Sequence, residues 1–282
     1  MTHRIHRGFA DVGALQVHYR TTGPADGVPL VMIHQSPGSS KQLSGLMLAL
    51  AALGHRVVAP DTAGNGDSDP LSLAQPGIPD LASHALASLD TLGLDRFHLY
   101  GSHTGASIAM EIAIAQPARV GRLVIDGMGL YSGDLQSEVL DRYAREIAPD
   151  AEATHLMKVW HFCRDQFLFW PYYNRTAEGR LPGGLPSDDD MHDFTVEVLK
   201  ALRTYHLSYR AAFRHPKRDR LPLIRVPTLV CASPSDMLYA YFRDVAALVP
   251  DAQAAELPPW HSAGFETGTA VLLHDFLTRE AT

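Results

Sequence analysis

The sequence predicts an α/β protein, with a mainly parallel central sheet, helices on both of its faces, and one mostly helical insertion. Two observations carry this reading. Short, continuous apolar runs alternate with amphipathic stretches over residues 14–128 and again over 227–280, the pattern of strands buried on both faces and joined by crossover helices. Between these stretches the strand signal stops, and helical or irregular segments rich in aromatic side chains take its place.

The elements follow in order. ALQVHYR (14–20) alternates and reads as a half-buried strand, whereas PLVMIHQ (29–35) is continuous and reads as a fully buried one. SSKQLSGLMLALAALG (39–54) reads as a helix closed by a glycine. Strand HRVVAPD (55–61), helix IPDLASHALASLDTLGL (78–94), strand RFHLYG (96–101), helix GASIAMEIAIAQP (105–117) and strand VGRLVIDGM (120–128) continue the series. The insertion holds HLMKVWHFCRDQFLFWPYYNR (155–175), its densest aromatic stretch, and a Gly/Pro turn region, GRLPGGLPSDDD (179–190). The α/β pattern then resumes with strand PTLVCASPSD (227–236), helix YAYFRDVAALVP (239–250), strand AQAAELPP (252–259) and helix GTAVLLHDFLTRE (268–280). One core domain, residues 1–129 and 221–282, interrupted by a helical cap, residues 130–220, fits this order better than two tandem domains.

Composition narrows the function. A chain of 282 residues with 46% hydrophobic content is long enough for one large core. A formal net charge of −7 without any Lys/Arg block excludes an electrostatic footprint for nucleic acid or anionic membrane. Nowhere do about eighteen apolar residues run together, and MTHRIHRGFADV lacks a stretch of signal-peptide type, so a cytoplasmic location is expected. Cys163 and Cys231 stand far apart without metal-ligand spacing, which gives neither a disulfide framework nor a zinc ribbon.

The chemistry concentrates in GSHTG (101–105), set between a strand and a helix. A sharp strand-to-helix turn needs small flanking residues and projects its middle side chain over the sheet, at the amide end of the following helix. The glycine spacing makes that middle residue His103 rather than Ser102. Three further stretches accompany it in order: HQSPGSS (34–40), DTAGNGDSD (61–69), and the pair SPSD (233–236) and PPWHSAGF (258–265). Together these stretches resemble the α/β-hydrolase superfamily over essentially the whole chain. HQSPGSS is similar to its oxyanion loop, with Gln35 where glycine is usual, and GSHTG to its nucleophile elbow, with histidine where serine is usual.

The resemblance implies a catalytic set of His103, His261 and Asp236, in which Asp236 orients His261 and His261 faces residue 103. It implies oxyanion donors in the backbone N–H groups of Ser36 and Thr104. Imidazole is a nucleophile, largely neutral at cellular pH, so attack by His103 through an acyl-imidazole is one route. In a second route one imidazole acts as base and the other as acid. A metal held by His103, His261 and His34 or Asp236 is a third, unsupported by any local ligand spacing.

Each residue also has a plainer reading. His103 can simply fill the elbow of an inactive protein; His34, Asp61 and Asp69 can hold their loops by turn hydrogen bonds. The aromatic stretch is mostly cap core, with some rings facing the core opening as a pocket wall. Gln35, Trp160, Phe167, Trp170 and Trp260 are the expected substrate contacts. Arg164 and Arg175 are candidates for a substrate carboxylate or for an ion pair with Asp165. The resulting expectation is a cofactor-free enzyme acting on a small apolar or aromatic ester, lactone or activated C–C bond. The alternatives are a non-hydrolytic acid-base enzyme and a ligand-binding pseudohydrolase. The cap can serve as a lid or as a homodimer surface.

Overall fold

The computed structural model describes residues 3–260 and 262–279. Its sheet has eight strands: β1 (His6–Val12), β2 (Leu15–Thr22), β3 (Leu30–Ile33), β4 (Val57–Pro60), β5 (Phe97–Ser102), β6 (Val120–Asp126), β7 (Thr228–Ala232) and β8 (Gln253–Glu256). They lie in the order β1-β2-β4-β3-β5-β6-β7-β8. β1 and β2 form an antiparallel hairpin and β2 runs antiparallel to β4, while every pairing from β4 to β8 is parallel.

The strand β1 lies outside the elements the sequence predicts, for a physical reason. HRGFADV is an edge strand exposed over most of its length, with only Ala10 buried, so it carries no apolar run. It is held by its register with β2 rather than by a core face of its own.

The core helices are α1 (Ser44–Ala52), α2 (Ile78–Thr91) and α3 (Thr104–Ala115). The segment between β6 and β7 contributes α4 (Gly133–Glu138), α5 (Thr154–Leu168), α6 (Asp188–Lys200), α7 (Tyr205–Arg214) and α8 (Lys217–Arg220). The chain closes with α9 (Phe242–Leu248) and α10 (Phe265–Thr278).

Period-two alternation along β3 divides the core into two layers. Val31 and Ile33 join Leu99, Ile125 and Val230 against α2, α3 and α9. Leu30 and Met32 join Tyr100, Val124 and Cys231 against α1 and α10. Among the described residues no helix is long and apolar enough to cross a membrane.

The segment between β6 and β7 has its own apolar centre. Tyr143, Val159, Phe162, Cys163, Tyr205, Tyr209 and Phe213 are buried together there. It is tied to the core by polar contacts. Glu111 of α3 accepts from Arg220 at 2.7 Å and meets His215 at 2.9 Å, Lys41 pairs with Asp193 at 2.8 Å, and Lys200 pairs with Asp67 at 3.0 Å.

The loop after β4 is fixed by one buried carboxylate. Asp61 accepts from the Ser40 amide at 2.7 Å and the Asp67 amide at 3.1 Å, and meets His18 Nδ1 at 2.8 Å. Burial alone would raise its pKa, but the His18 hydrogen bond, the electrostatics of the nearby His34 ring and the two amides outweigh it and hold the group at about 2. A depressed carboxylate contributes stability above its unfolded value near 3.8 and loses it as pH falls toward 2. Asp61→Asn is therefore expected to lower stability by about 1–3 kcal/mol in urea denaturation at neutral pH. The gap from the native protein should close as the pH is taken down from 4; a gap independent of pH would show that the charge does not matter.

Candidate active site

The site is built on the turn between β5 and α3. β5 ends at Ser102 and α3 begins at Thr104, so His103 alone reverses the chain, with φ 51° and ψ −107°. Positive φ is costly for a residue with a Cβ and persists only where the surroundings dictate it. Here the surroundings are two glycines. A Cβ on Gly101 would lie 2.3 Å from the Gly105 carbonyl oxygen, and one on Gly105 would lie 2.2 Å from that of Ile33. The helix thus presses directly onto β3 and β5.

The His103 ring reaches across the end of the sheet to the loop after β7. Its Nε2 lies 2.8 Å from Asp236 Oδ2, and the other carboxylate oxygen of Asp236 accepts from the Leu238 amide at 2.8 Å. The Asp236 side chain is fully buried and that of His103 is 15% exposed. An ionised carboxylate only accepts, so Nε2 carries the proton and Nδ1 is left with the lone pair. Gly127, at φ 63°, makes the contact possible: a Cβ there would lie 2.6 Å from Asp236 Oδ2 and 2.9 Å from His103 Nε2. Trp260 stacks on the imidazole at 5.9 Å between centroids, its amide donating to Ser235 Oγ at 2.8 Å.

Burial pulls the His103 pKa down, but the charge and hydrogen bond of Asp236, helped by Asp126, outweigh it and the net direction is up. Asp126 lies at the end of β6 and accepts from Tyr100 Oη at 2.5 Å, while its Oδ1 has no partner. Burial pushes Asp126 up; the Tyr100 hydrogen bond opposes this, the neighbouring Asp236 adds to it, and the group stands at about 7. The second acid is thereby shifted toward its neutral form, which leaves Asp236 as the main counter-charge of His103.

A cavity of about 90 Å³ opens above this pair. It brings together His103, Gln35, Ser36, Thr104, Phe167, Trp170 and Trp260 of the sequence-predicted residues. Asp236 sits behind His103. Trp160 is not brought there: it lies on the outer side of α5, 36% exposed. His261 lies outside the described residues, and with it the expectation that Asp236 orients its ring. Arg164 and Arg175 both bind Asp165, at 2.7 and 2.6 Å, so neither guanidinium faces the cavity unpaired.

His34 is fully buried and both its nitrogens are engaged. Nδ1 meets the Gln35 carbonyl at 2.7 Å and Nε2 accepts from the Thr62 amide at 2.9 Å. Its lone pair is spent on the loop, which argues against a metal-ligand role. Tyr131, Tyr143, Tyr209, Phe213, Gln166 and Lys217 also line the cavity. They come from the start, the middle and the end of the insertion, and no local motif marks them.

The paired imidazole should titrate above 6.5 in an NMR pH series of the native protein. In Asp236→Asn the opposing burial remains without its compensating charge, so the same resonance should move below 6.5. The raised value also implies stability that is full below 6.5 and lost as pH rises through the folded-state pKa. A His103 resonance unmoved by Asp236→Asn would break the pairing.

Comparison with known proteins agrees with this architecture. A family model described as alpha/beta hydrolase fold matches residues 28–166. A Pseudomonas putida protein named 2-hydroxy-6-oxononadienedioate/2-hydroxy-6-oxononatrienedioate hydrolase 2 is 41% identical over 130 residues, 45% of this chain and 44% of that protein. The first curated relatives are thus matched over less than half of their length. An Azorhizobium caulinodans protein carrying a carbamate hydrolase name is 27% identical over 283 residues, 95% of this chain and 96% of its own. The crystal structure of an enol-lactonase from Burkholderia xenovorans LB400 superposes with a TM-score of 0.73 at 20% identity, covering 96% of this chain and all of that one. From the sheet order, the elbow and these likenesses together, the chain has the α/β-hydrolase fold, and the relatives it resembles are named as hydrolases.

Proposed function

We propose that the protein hydrolyses a small carbonyl compound with an apolar or aromatic part, an ester, lactone or activated C–C bond, using His103 where its relatives' fold presents a nucleophile. The observation that carries this reading is the His103–Asp236 hydrogen bond of 2.8 Å at the floor of a largely apolar cavity.

The geometry favours base catalysis over covalent attack. Asp236 occupies Nε2, the less hindered nitrogen, and leaves Nδ1, which is flanked by the ring carbon bearing the side chain. Attack by Nδ1 on a carbonyl carbon is crowded, whereas removing a proton from a water molecule is not. Water gives its proton to Nδ1 and its oxygen bonds to the carbonyl carbon; Asp236 stabilises the resulting imidazolium. The carbonyl oxygen takes the negative charge, facing the amides of Ser36 and Thr104, the latter an orphan donor of the first turn of α3. Collapse of the adduct expels the leaving group, which takes the proton from the imidazolium or from His261. No cofactor takes part in this scheme.

The test is turnover of an ester, lactone and vinylogous diketone panel by the native protein, His103→Ala, His103→Ser and Asp236→Asn, each checked for folding. His103→Ala should lose about 10²–10⁴-fold in kcat. Since the base must be unprotonated, kcat should rise with pH through the His103 pKa, above 6.5. Mass spectrometry with a slow ester should find no acyl group on the protein. An acyl adduct on His103 would replace base catalysis with the covalent route. Full activity in His103→Ala would remove His103 from the chemistry altogether.

A further inference from the structure

The part of the cavity lining that comes from the segment between β6 and β7 holds more hydrogen-bond donors than the protein itself satisfies. Gln166 is 8% exposed, and its Oε1 accepts from Tyr143 Oη at 3.2 Å and Tyr209 Oη at 3.0 Å. Two hydroxyl donors on the oxygen fix the amide orientation, so Nε2 can only donate, and it is buried without a partner. Lys217, 6% exposed, lines the same cavity. Its Nζ donates to the Ala212 carbonyl at 2.5 Å and sits 5.5 Å from the centre of the Tyr131 ring.

No carboxylate of the described residues pairs with this ammonium; Asp165 is taken by Arg164 and Arg175, and Glu111 by Arg220 and His215. Burial without a counter-charge pulls Lys217 down to about 7. A buried cation without a counter-charge and a buried amide donor without a partner, both lining one cavity, are each costly unless something completes them. Both call for an acceptor, and the cation calls for an anion.

We propose that Lys217 and Gln166 form a carboxylate-binding subsite, so that the carbonyl substrate carries a carboxylate group held away from the reacting bond. The inference rests on the proposed function only in taking this cavity as the substrate site. It assigns specificity to two residues far apart in the insertion, one at the end of α5 and one at the start of α8, so the acid is gripped only when both are packed together.

The experiment is binding rather than turnover. Phenylacetate and its neutral near-isostere phenylacetamide are titrated calorimetrically at pH 6.5 into the native protein, Lys217→Met, Lys217→Arg, Gln166→Leu and His103→Ala, with circular dichroism as the fold check. The native protein should prefer the carboxylate by about tenfold or more, the usual scale of one charge-assisted contact. Lys217→Met should abolish that preference while holding the amide as the native protein does; Gln166→Leu should reduce it, and Lys217→Arg should keep part of it. His103→Ala should retain the full preference, because it leaves the subsite intact. Should Lys217→Met fail to fold, Gln166→Leu and Lys217→Arg carry the same comparison. A native protein without preference, or a preference that survives loss of the Lys217 charge, overturns the subsite. An inactive His103→Ala that keeps the preference supports both readings, and a fully active one removes the catalytic reading without touching the subsite.

Discussion

The close approach of α3 to β3 and β5 is the constraint on which the site depends. With Gly101 and Gly105 in near-contact with backbone carbonyls, the chain has one residue in which to turn from strand to helix, and that residue takes φ 51°. The strain is held by the packing of α3, whose residues from Thr104 to Ala113 are all buried. The turn fixes three things at once: the side chain over the sheet, the amide end of the helix beside it, and the cavity they share with Gln35 and Ser36 of the loop after β3. A looser turn would let a long imidazole swing, and its hydrogen bond to Asp236 would be lost.

Charge in this region is arranged by burial as much as by pairing. Asp126 and Asp236 lie near one another beneath the elbow, where two full negative charges would repel. Raising Asp126 to about 7 relieves this, and the Tyr100 hydroxyl completes one of its oxygens. Asp236 is left to hold the imidazole, and Gly127 provides the space in which the two side chains meet. Trp260 stacks on one face of the imidazole, so the hydrogen bond from His103 to the Asp236 carboxylate lies in a low-dielectric setting that strengthens it.

The segment between β6 and β7 completes the cavity from above. Its aromatic centre around Tyr143 gives the wall rigidity, and the pairs Lys41–Asp193, Lys200–Asp67 and Glu111–Arg220 set its position on the core. Exposed pairs of this kind contribute little stability individually. The Glu111 cluster is different, because the carboxylate is buried and held at about 2 by His215 and Arg220 against the opposing effect of burial. His215 and Arg220 flank Lys217 in the chain, so their anchorage to Glu111 steadies the segment that carries that residue into the cavity.

By itself the sequence determined the alternation of strands and helices and the elbow at His103, because both are local: apolar periodicity follows from side-chain direction, and glycine spacing from steric contact across a few residues. It did not reveal β1, whose exposed edge leaves no apolar run, nor separate Trp160 on the outer side of its helix from Phe167 and Trp170 at the cavity. Only the tertiary structure decided that His103 itself meets Asp236, a contact between residues 133 positions apart. The same is true of the unpaired Lys217 and of the amide of Gln166, whose orientation is set by hydroxyls from two other helical segments. What a buried polar group lacks is defined by everything packed around it, and no stretch of chain carries that information alone.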